Sequence, residues 1–289
     1  MNRLALGTAQ FGLPYGIANK AGQVPRMEAK NMLHLASING IDTLDTAVAY
    51  GTSESCLGEL GTQGFRVVTK LPALPDSCAD VGAWVGTQVA SSLSRLGLTR
   101  LYGLLLHNPE QLLGPDGSAI YQALRQLKDA GLAQKIGVSI YSPNELEALP
   151  LQYRFDLVQA PFNLVDRRLF SSGWMHRLKD DGVEVHTRSA FLQGLLLMTQ
   201  AEVPARFTIW DDIWKRWHGW LAVHDSSAVQ ACLAFVLSFA EIDRVVLGAD
   251  SQIQLAQILR AATSDSKGNL PELQCEDETL INPAHWKQL

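Results

Sequence analysis

A surplus of positive charge is the first thing this chain lacks. Its 289 residues carry 24 Lys and Arg against 29 Asp and Glu, a formal net charge of -5, and the basic residues are scattered rather than gathered into a stripe. Such a balance offers no attraction to a phosphate backbone or an anionic lipid surface, which argues against a nucleic-acid partner. Cysteine is scarce too. Cys56, Cys78, Cys232 and Cys275 form no CxxC pair and no regular spacing, so neither a zinc site nor a disulfide framework is indicated, and free thiols in a reducing compartment are the simple reading. No apolar run reaches the ~18 residues of a membrane-spanning helix. The N-terminal segment lacks the basic and then apolar layout of a secretory signal, and a cytoplasmic protein with no membrane partner is expected. Linkers, low-complexity tracts and short-period repeats are missing as well, which predicts one domain over residues 1–289.

What remains is a composition able to build one large core: 47% hydrophobic and 18% charged residues, far from that of a disordered chain. Short apolar runs, rich in Val and Leu, alternate with longer stretches of period about 3.6. Strands are predicted at residues 4–8, 43–46, 66–70, 101–106, 135–139, 157–159, 183–187 and 244–247, with helices at 26–38, 80–96, 118–129, 143–149, 226–239 and 252–261. Asn39-Gly40, Ala130-Gly131 and Asp181-Gly182 stand where a helix must stop and the chain must turn. Eight strands with helices between them predict a closed (β/α)8 TIM barrel. Residues 195–225 are long for a strand-to-helix connection and carry Trp210, Trp214, Trp217 and Trp220. Such a loop lies on the active face of a barrel and could cover a ligand, although the helical spacing of its aromatics also fits a core stripe.

Barrel chemistry is done by side chains at the C-terminal ends of the strands. Asp45 closes the second predicted strand and Tyr50 follows it; Lys70 ends the third and His107 the fourth. A tyrosine titrates near ~10 and is a poor acid at neutral pH unless a cation favours its phenolate. Lys70 is placed to supply that cation, Asp45 to keep Lys70 charged, and His107 to donate a hydrogen bond to a substrate carbonyl. Each residue alone is as well explained by packing or solvation; the four together are the parts of a carbonyl-reducing site.

The segments Leu6-Gly7-Thr8-Ala9, Asp45 to Gly51, Lys70, Leu106-His107-Asn108-Pro109 and Ile136-Gly137-Val138-Ser139, in that order, resemble the signatures of the aldo-keto reductase superfamily over nearly the whole chain. The resemblance implies a catalytic tetrad of Asp45, Tyr50, Lys70 and His107, with Tyr50 as general acid in reduction and general base in oxidation. It also implies a nicotinamide cofactor held by Gly7, Thr8 and Ala9, with Ser139 and Gln159 bonding the carboxamide. Capping and strand-end roles are the alternatives for Ser139 and Gln159.

Two departures stand out. Arg188 occupies the position of the family's stacking tyrosine and is expected to reach an anionic substrate group or a pyrophosphate oxygen. After the last strand, Gly248-Ala249-Asp250-Ser251 resembles the family's phosphate loop, but Asp250 stands where many relatives carry a cation for the 2′-phosphate. NADP is the family default, and Asp250 shifts the expectation toward NAD or dual use. Gln254 and Gln257 are placed to contact the adenosine or to face solvent. Tyr15, Phe162, Trp210 and Trp214 are candidate substrate contacts, each with core packing as the alternative.

The expected partner is a small-molecule carbonyl or alcohol. A sugar derivative is preferred, because Arg188-Ser189 and the Leu192-Gln193-Gly194-Leu195-Leu196 run resemble bacterial members linked with aldose oxidation or surface-polysaccharide sugars. A cofactor-binding regulatory subunit with little turnover is the competing reading. A metal-dependent isomerase or hydrolase is disfavoured, since the seven histidines show no ligand spacing.

Overall fold

The computed structural model describes residues 3–264 and 268–289. Eight parallel strands close into a barrel in sequence order: β1 (Leu4–Gly7), β2 (Thr43–Asp45), β3 (Arg66–Leu71), β4 (Leu101–Leu106), β5 (Ala133–Ser139), β6 (Leu157–Pro161), β7 (Glu184–Arg188) and β8 (Arg244–Leu247), which pairs back on β1. Strands covered on both sides read as nearly continuous apolar runs, which is why Val67-Val68 and Leu104-Leu105-Leu106 mark their elements so plainly. The helices start and stop on local chemistry. Asp80 caps Val81–Leu96 by accepting from the Ala83 N–H, and Gly97 ends it in a left-handed conformation; capping boxes open Pro143–Ala148 at Ser142 and Ala228–Leu237 at Ser227.

The strand register decides what faces the barrel interior. Gly7 pairs with Asp45, Asp45 with Val68 and Ser139 with Gln159. Residues two apart on a strand share a face, so Lys70 stands one layer above Val68 and beside Asp45. Below it, Val68, Leu105 and Leu157 form a small apolar plug inside the barrel, separate from the large core between strands and helices. At the N-terminal end, Glu184 accepts from Tyr102 at 2.7 Å and from Lys135, and meets His186 at 2.6 Å. Burial acts to raise the Glu184 carboxyl, but these partners outweigh it and hold it well below the ordinary carboxylate range. The end of the barrel opposite the strand C-termini is thus closed by a polar cluster.

Of the two roles open to the tryptophan segment, covering a ligand or packing in the core, the contacts are those of packing. It runs through the 3-10 turns Leu192–Leu197 and Ala205–Trp210 into the helix Asp211–His224. Trp214 is buried and donates its indole N–H to the Phe207 carbonyl at 2.8 Å; Trp217 donates to Leu196 at 3.0 Å, Trp220 to Asn269 at 2.7 Å and Trp210 to Asp277 at 3.1 Å. Each indole has found a partner, so Trp214 pins the helix to the 3-10 turn before it and Trp210 pins that turn to the C-terminal segment. Phe162 is corrected in the same way. It is fully buried, stacked on Phe235 at 5.2 Å and edge-on to Phe239 at 4.9 Å. Gln159 faces the barrel interior, so a side chain three positions later faces the helices. Among the described residues, no single helix is long and apolar enough to cross a membrane.

Candidate active site

Lys70 is the centre of the site. Its side chain is completely buried, and its ammonium lies 2.6 Å from Asp45 Oδ1, 2.9 Å from the Thr46 carbonyl and 3.5 Å from Tyr50 Oη. An ammonium has three donors, and here each has an acceptor. On the other side, Asp45 Oδ2 accepts from Gln159 Nε2 at 2.7 Å, and Gln159 Oε1 accepts from Ser139 Oγ at 3.2 Å. One polar chain therefore runs from β5 through β6 and β2 to β3 and ends on the Tyr50 phenol. His107, just past β4, closes the group with its ring edge-on to Tyr50 at 5.8 Å.

Tyr50 lies on a loop, and its placement rests on a tight set of backbone contacts. The Val48 N–H donates to the Lys70 carbonyl at 3.1 Å and the Tyr50 N–H to Ala47 at 3.0 Å. Thr8 Oγ1 donates to the Asp45 carbonyl at 2.9 Å, and Ser53 Oγ donates to the Thr8 carbonyl at 2.8 Å. The β1 loop presses so closely on this turn that a Cβ at Gly12 would lie 1.8 Å from the Tyr50 carbonyl oxygen. Only glycine fits there. Reading the sequence for strand-end polar residues misses Gly12, because its role is contact across two loops.

Burial dominates the electrostatics. It pushes the Tyr50 phenol well above its ordinary value, Asp45 adds to the rise, and Arg188 opposes it. The expected help from Lys70 is therefore not the net effect: with Asp45 at 2.6 Å, the pair offers the phenol a nearly neutral neighbour. Lys70 itself is drawn below its usual value by burial, which Asp45 resists but does not overcome. His107 falls to about 4, through burial first and then the positive charges of Lys70 and Arg188. At neutral pH the site thus holds a protonated phenol and an uncharged imidazole.

A cavity of about 400 Å³ opens from this group. Asp45, Tyr50 and Tyr15 line one end with Arg188; Gly7, Thr8 and Ala9 form part of its floor; Gly248, Asp250, Gln254 and Gln257 line the far end. Ser139 and Gln159 are buried beneath Asp45 and do not line it, so as placed they organise the tetrad rather than meet a ligand. Ser251 is also outside it, capping the helix Gln252–Ala262 by accepting from the Gln254 N–H at 3.2 Å.

The far end of the cavity carries the Asp250 carboxylate. The Asp250 N–H donates to Gln254 Oε1 at 2.8 Å and the Gln252 N–H to Glu28, so two carboxylates and two engaged N–H groups stand at the start of this helix. Asp250 also accepts from Asn19 Nδ2 at 3.2 Å, which ties the β1 loop across the cavity. Asn19 was not singled out from the sequence. Its turn-forming bonds to the Ala21 and Gly22 N–H groups, at 2.9 and 2.8 Å, are the signal that marks it.

A model of the aldo/keto reductase family matches residues 3–268. The chain belongs to that family. Among curated relatives, it is 25% identical to a D-threo-aldose 1-dehydrogenase of Pseudomonas sp, over 88% of this chain and 89% of the relative. It is 25% identical to the aldo-keto reductase YhdN of Bacillus subtilis, over 68% and 60%. Similar folds occur in the holo form of aldo-keto reductase AKR11C1 from Bacillus halodurans, with a TM-score of 0.72 and 20% identity over 91% of this chain and 87% of that one. The glycerol dehydrogenase AKR11B4 from Gluconobacter oxydans matches with a TM-score of 0.70 and 20% identity over 92% and 88%.

Aldo/keto reductases generally use a nicotinamide cofactor, and the lining of this cavity fits one. It runs continuously from the tetrad to the helix start, with Val229, Leu247 and Ile258 as an apolar wall and Gln254 and Gln257 as polar points.

Proposed function

We propose that the protein is a nicotinamide-dependent oxidoreductase of the cytoplasm, formed as one domain, that reduces an aldehyde or ketone or oxidises a sugar-like alcohol with Tyr50 as proton donor and acceptor. The observation that carries this reading is the fully buried Lys70, its three donors shared among Asp45, Thr46 and the Tyr50 phenol at the mouth of a closed barrel. The relative named as a D-threo-aldose 1-dehydrogenase supports the sugar-like class.

The cofactor, when bound, supplies or accepts the hydride at the substrate carbon. Gly7, Thr8, Ala9, Gly248, Gln254 and Gln257 would hold it along the cavity. In reduction, Tyr50 is protonated at neutral pH and donates its Oη proton to the oxygen that gains negative charge, an acceptor far more basic than the phenol. The uncharged His107 donates a hydrogen bond to the same oxygen and fixes its direction. Once the proton has left, Lys70 at 3.5 Å and the field of Arg188 stabilise the phenolate. Oxidation needs that phenolate at the outset, so the site favours reduction at neutral pH and oxidation at alkaline pH.

Asp250 and Glu28 point to NADH as the preferred reductant. The test is oxidation of NADH and of NADPH by the purified protein over a panel of aldehydes, ketones and aldoses, with cofactor binding followed in parallel by fluorescence. Turnover with NADH ahead of NADPH is expected. Cofactor binding with no turnover on any carbonyl or alcohol favours the regulatory reading instead.

A further inference from the structure

Among the described residues, Arg188 is a cation in the cavity with no ion-pair partner. Its guanidinium donates to the Ile140 carbonyl at 2.9 Å and to Ser189 Oγ at 3.3 Å, and its carbon lies 4.5 Å over the Tyr141 ring. These contacts fix the group but give it no carboxylate. Of five N–H donors, two have protein acceptors among the described residues. Glu145 feels its charge, yet the Glu145 carboxylate is engaged by the N–H groups of Tyr141 at 2.6 Å and Ser142 at 2.7 Å.

The position of Arg188 within the cavity is also defined. Its charge acts on Tyr50, Lys70, His107 and Tyr15, which places it at the reacting end. Asp250, at the other end, feels burial and Gln254 only. The strand end that carries Arg188 is held by unusual backbone: Ser189, Leu192 and Gln193 have φ of 63, 47 and 51°, in the left-handed region that such residues seldom adopt. Lys70 does not answer the same need, since Asp45 already neutralises it.

We infer that Arg188 receives a carboxylate on the substrate, so that the preferred substrates are oxo acids, with the carbonyl at Tyr50 and the carboxylate on the guanidinium. A half-buried, pre-oriented guanidinium with free donors matches a carboxylate in two-point geometry, and a neutral carbonyl compound would leave its charge unanswered. This inference rests on the oxidoreductase reading above and adds the substrate class. Pyrophosphate oxygens of the cofactor present the same anionic chemistry, and the experiment separates the two.

Matched pairs differing only in the carboxylate, such as butanal with 4-oxobutanoate and acetaldehyde with glyoxylate, are compared by kcat/KM in the wild type, Arg188→Gln and Arg188→Lys. Gln keeps a donor for Ile140 and removes the charge, while Lys keeps the charge and removes the fork. The expected acid-to-neutral ratio is about tenfold or more in the wild type, close to one in Arg188→Gln and intermediate in Arg188→Lys. A ratio that Arg188→Gln leaves unchanged overturns the proposal. So does a cofactor Kd raised about tenfold with the ratio preserved, which assigns the guanidinium to the pyrophosphate. Absence of turnover with both members of every pair overturns the oxidoreductase reading instead. Calorimetric binding of 4-oxobutanoate to the cofactor complex of Tyr50→Phe then still decides on Arg188, because binding needs no turnover: loss in the Arg188→Gln double variant supports the inference, and retention contradicts it.

Discussion

Two side chains whose charge states are set by burial govern the expected behaviour of the site. His107 is drawn to about 4, so it stays uncharged from roughly pH 5 upward and cannot contribute the ordinary imidazole ionisation near ~6.5. Tyr50 is raised and stays protonated through the neutral range. The kcat/KM for carbonyl reduction should therefore be flat between about pH 5.5 and 8.5, while alcohol oxidation rises steadily with pH. A bell centred on an ionisation near ~6.5 would show that His107 is an ordinary histidine. The same shift links to stability. Because the folded-state value of His107 lies below its unfolded value, its contribution is intact above about pH 6.5 and declines as the pH falls toward 4. Asp45, Tyr50, Lys70 and His107 were legible as a group, because packing or solvation explains any one of them alone but not four converging at successive strand ends. Ser139 and Gln159 were read as carboxamide contacts or as capping and strand-end residues and not as supports of Asp45, since a sequence does not say which polar partner a buried amide will choose.

At the scale of elements, strands declare themselves and close approaches between loops do not. All eight strands lie within two residues of their predicted limits, because each is an apolar run bounded by turn residues. The short helices Ser53–Leu60 and Trp174–Asp180 are too brief to show a period and were not predicted. Phe162, just past a strand, and Trp214, in the long segment 195–225, looked like substrate contacts because an aromatic at either place suits both roles; counting the strand alternation from Gln159 separates them for Phe162. Gly12 carries the prediction that belongs here. With Tyr50 O at 1.8 Å from the added carbon, Gly12→Ala must displace the turn that holds Tyr50. The expected cost is about 1–3 kcal/mol of stability, as for overpacking elsewhere. Turnover should fall further than cofactor affinity does, measured by kcat beside a fluorescence-derived Kd. A Gly12→Ala protein with unchanged kcat and Tm would mean that the two loops do not support each other.

The whole molecule is an aldo/keto reductase barrel whose cavity has the Arg188 cation at the end lined by Tyr50 and the Asp250 carboxylate at its far end. That polarity is unusual for a site meant to hold a 2′-phosphate, and it was partly visible in the sequence through Arg188 and Asp250. The bond from the Gln252 N–H to Glu28 and the bond from Asn19 to Asp250 were not, because they depend on Glu28 and on the β1 loop, distant in the chain. NADH should be used at least about tenfold more efficiently than NADPH, and Asp250→Asn should narrow that gap by relieving charge repulsion. Equal efficiency with both cofactors would remove Asp250 from the account. The central claim is that Tyr50 moves the proton during hydride transfer, and the most direct measurement is kcat for NADH-dependent carbonyl reduction by Tyr50→Phe beside the wild type. The account predicts a fall of about 10²–10⁴-fold with cofactor Kd and Tm nearly unchanged; a Tyr50→Phe protein that keeps kcat within a few fold would contradict it.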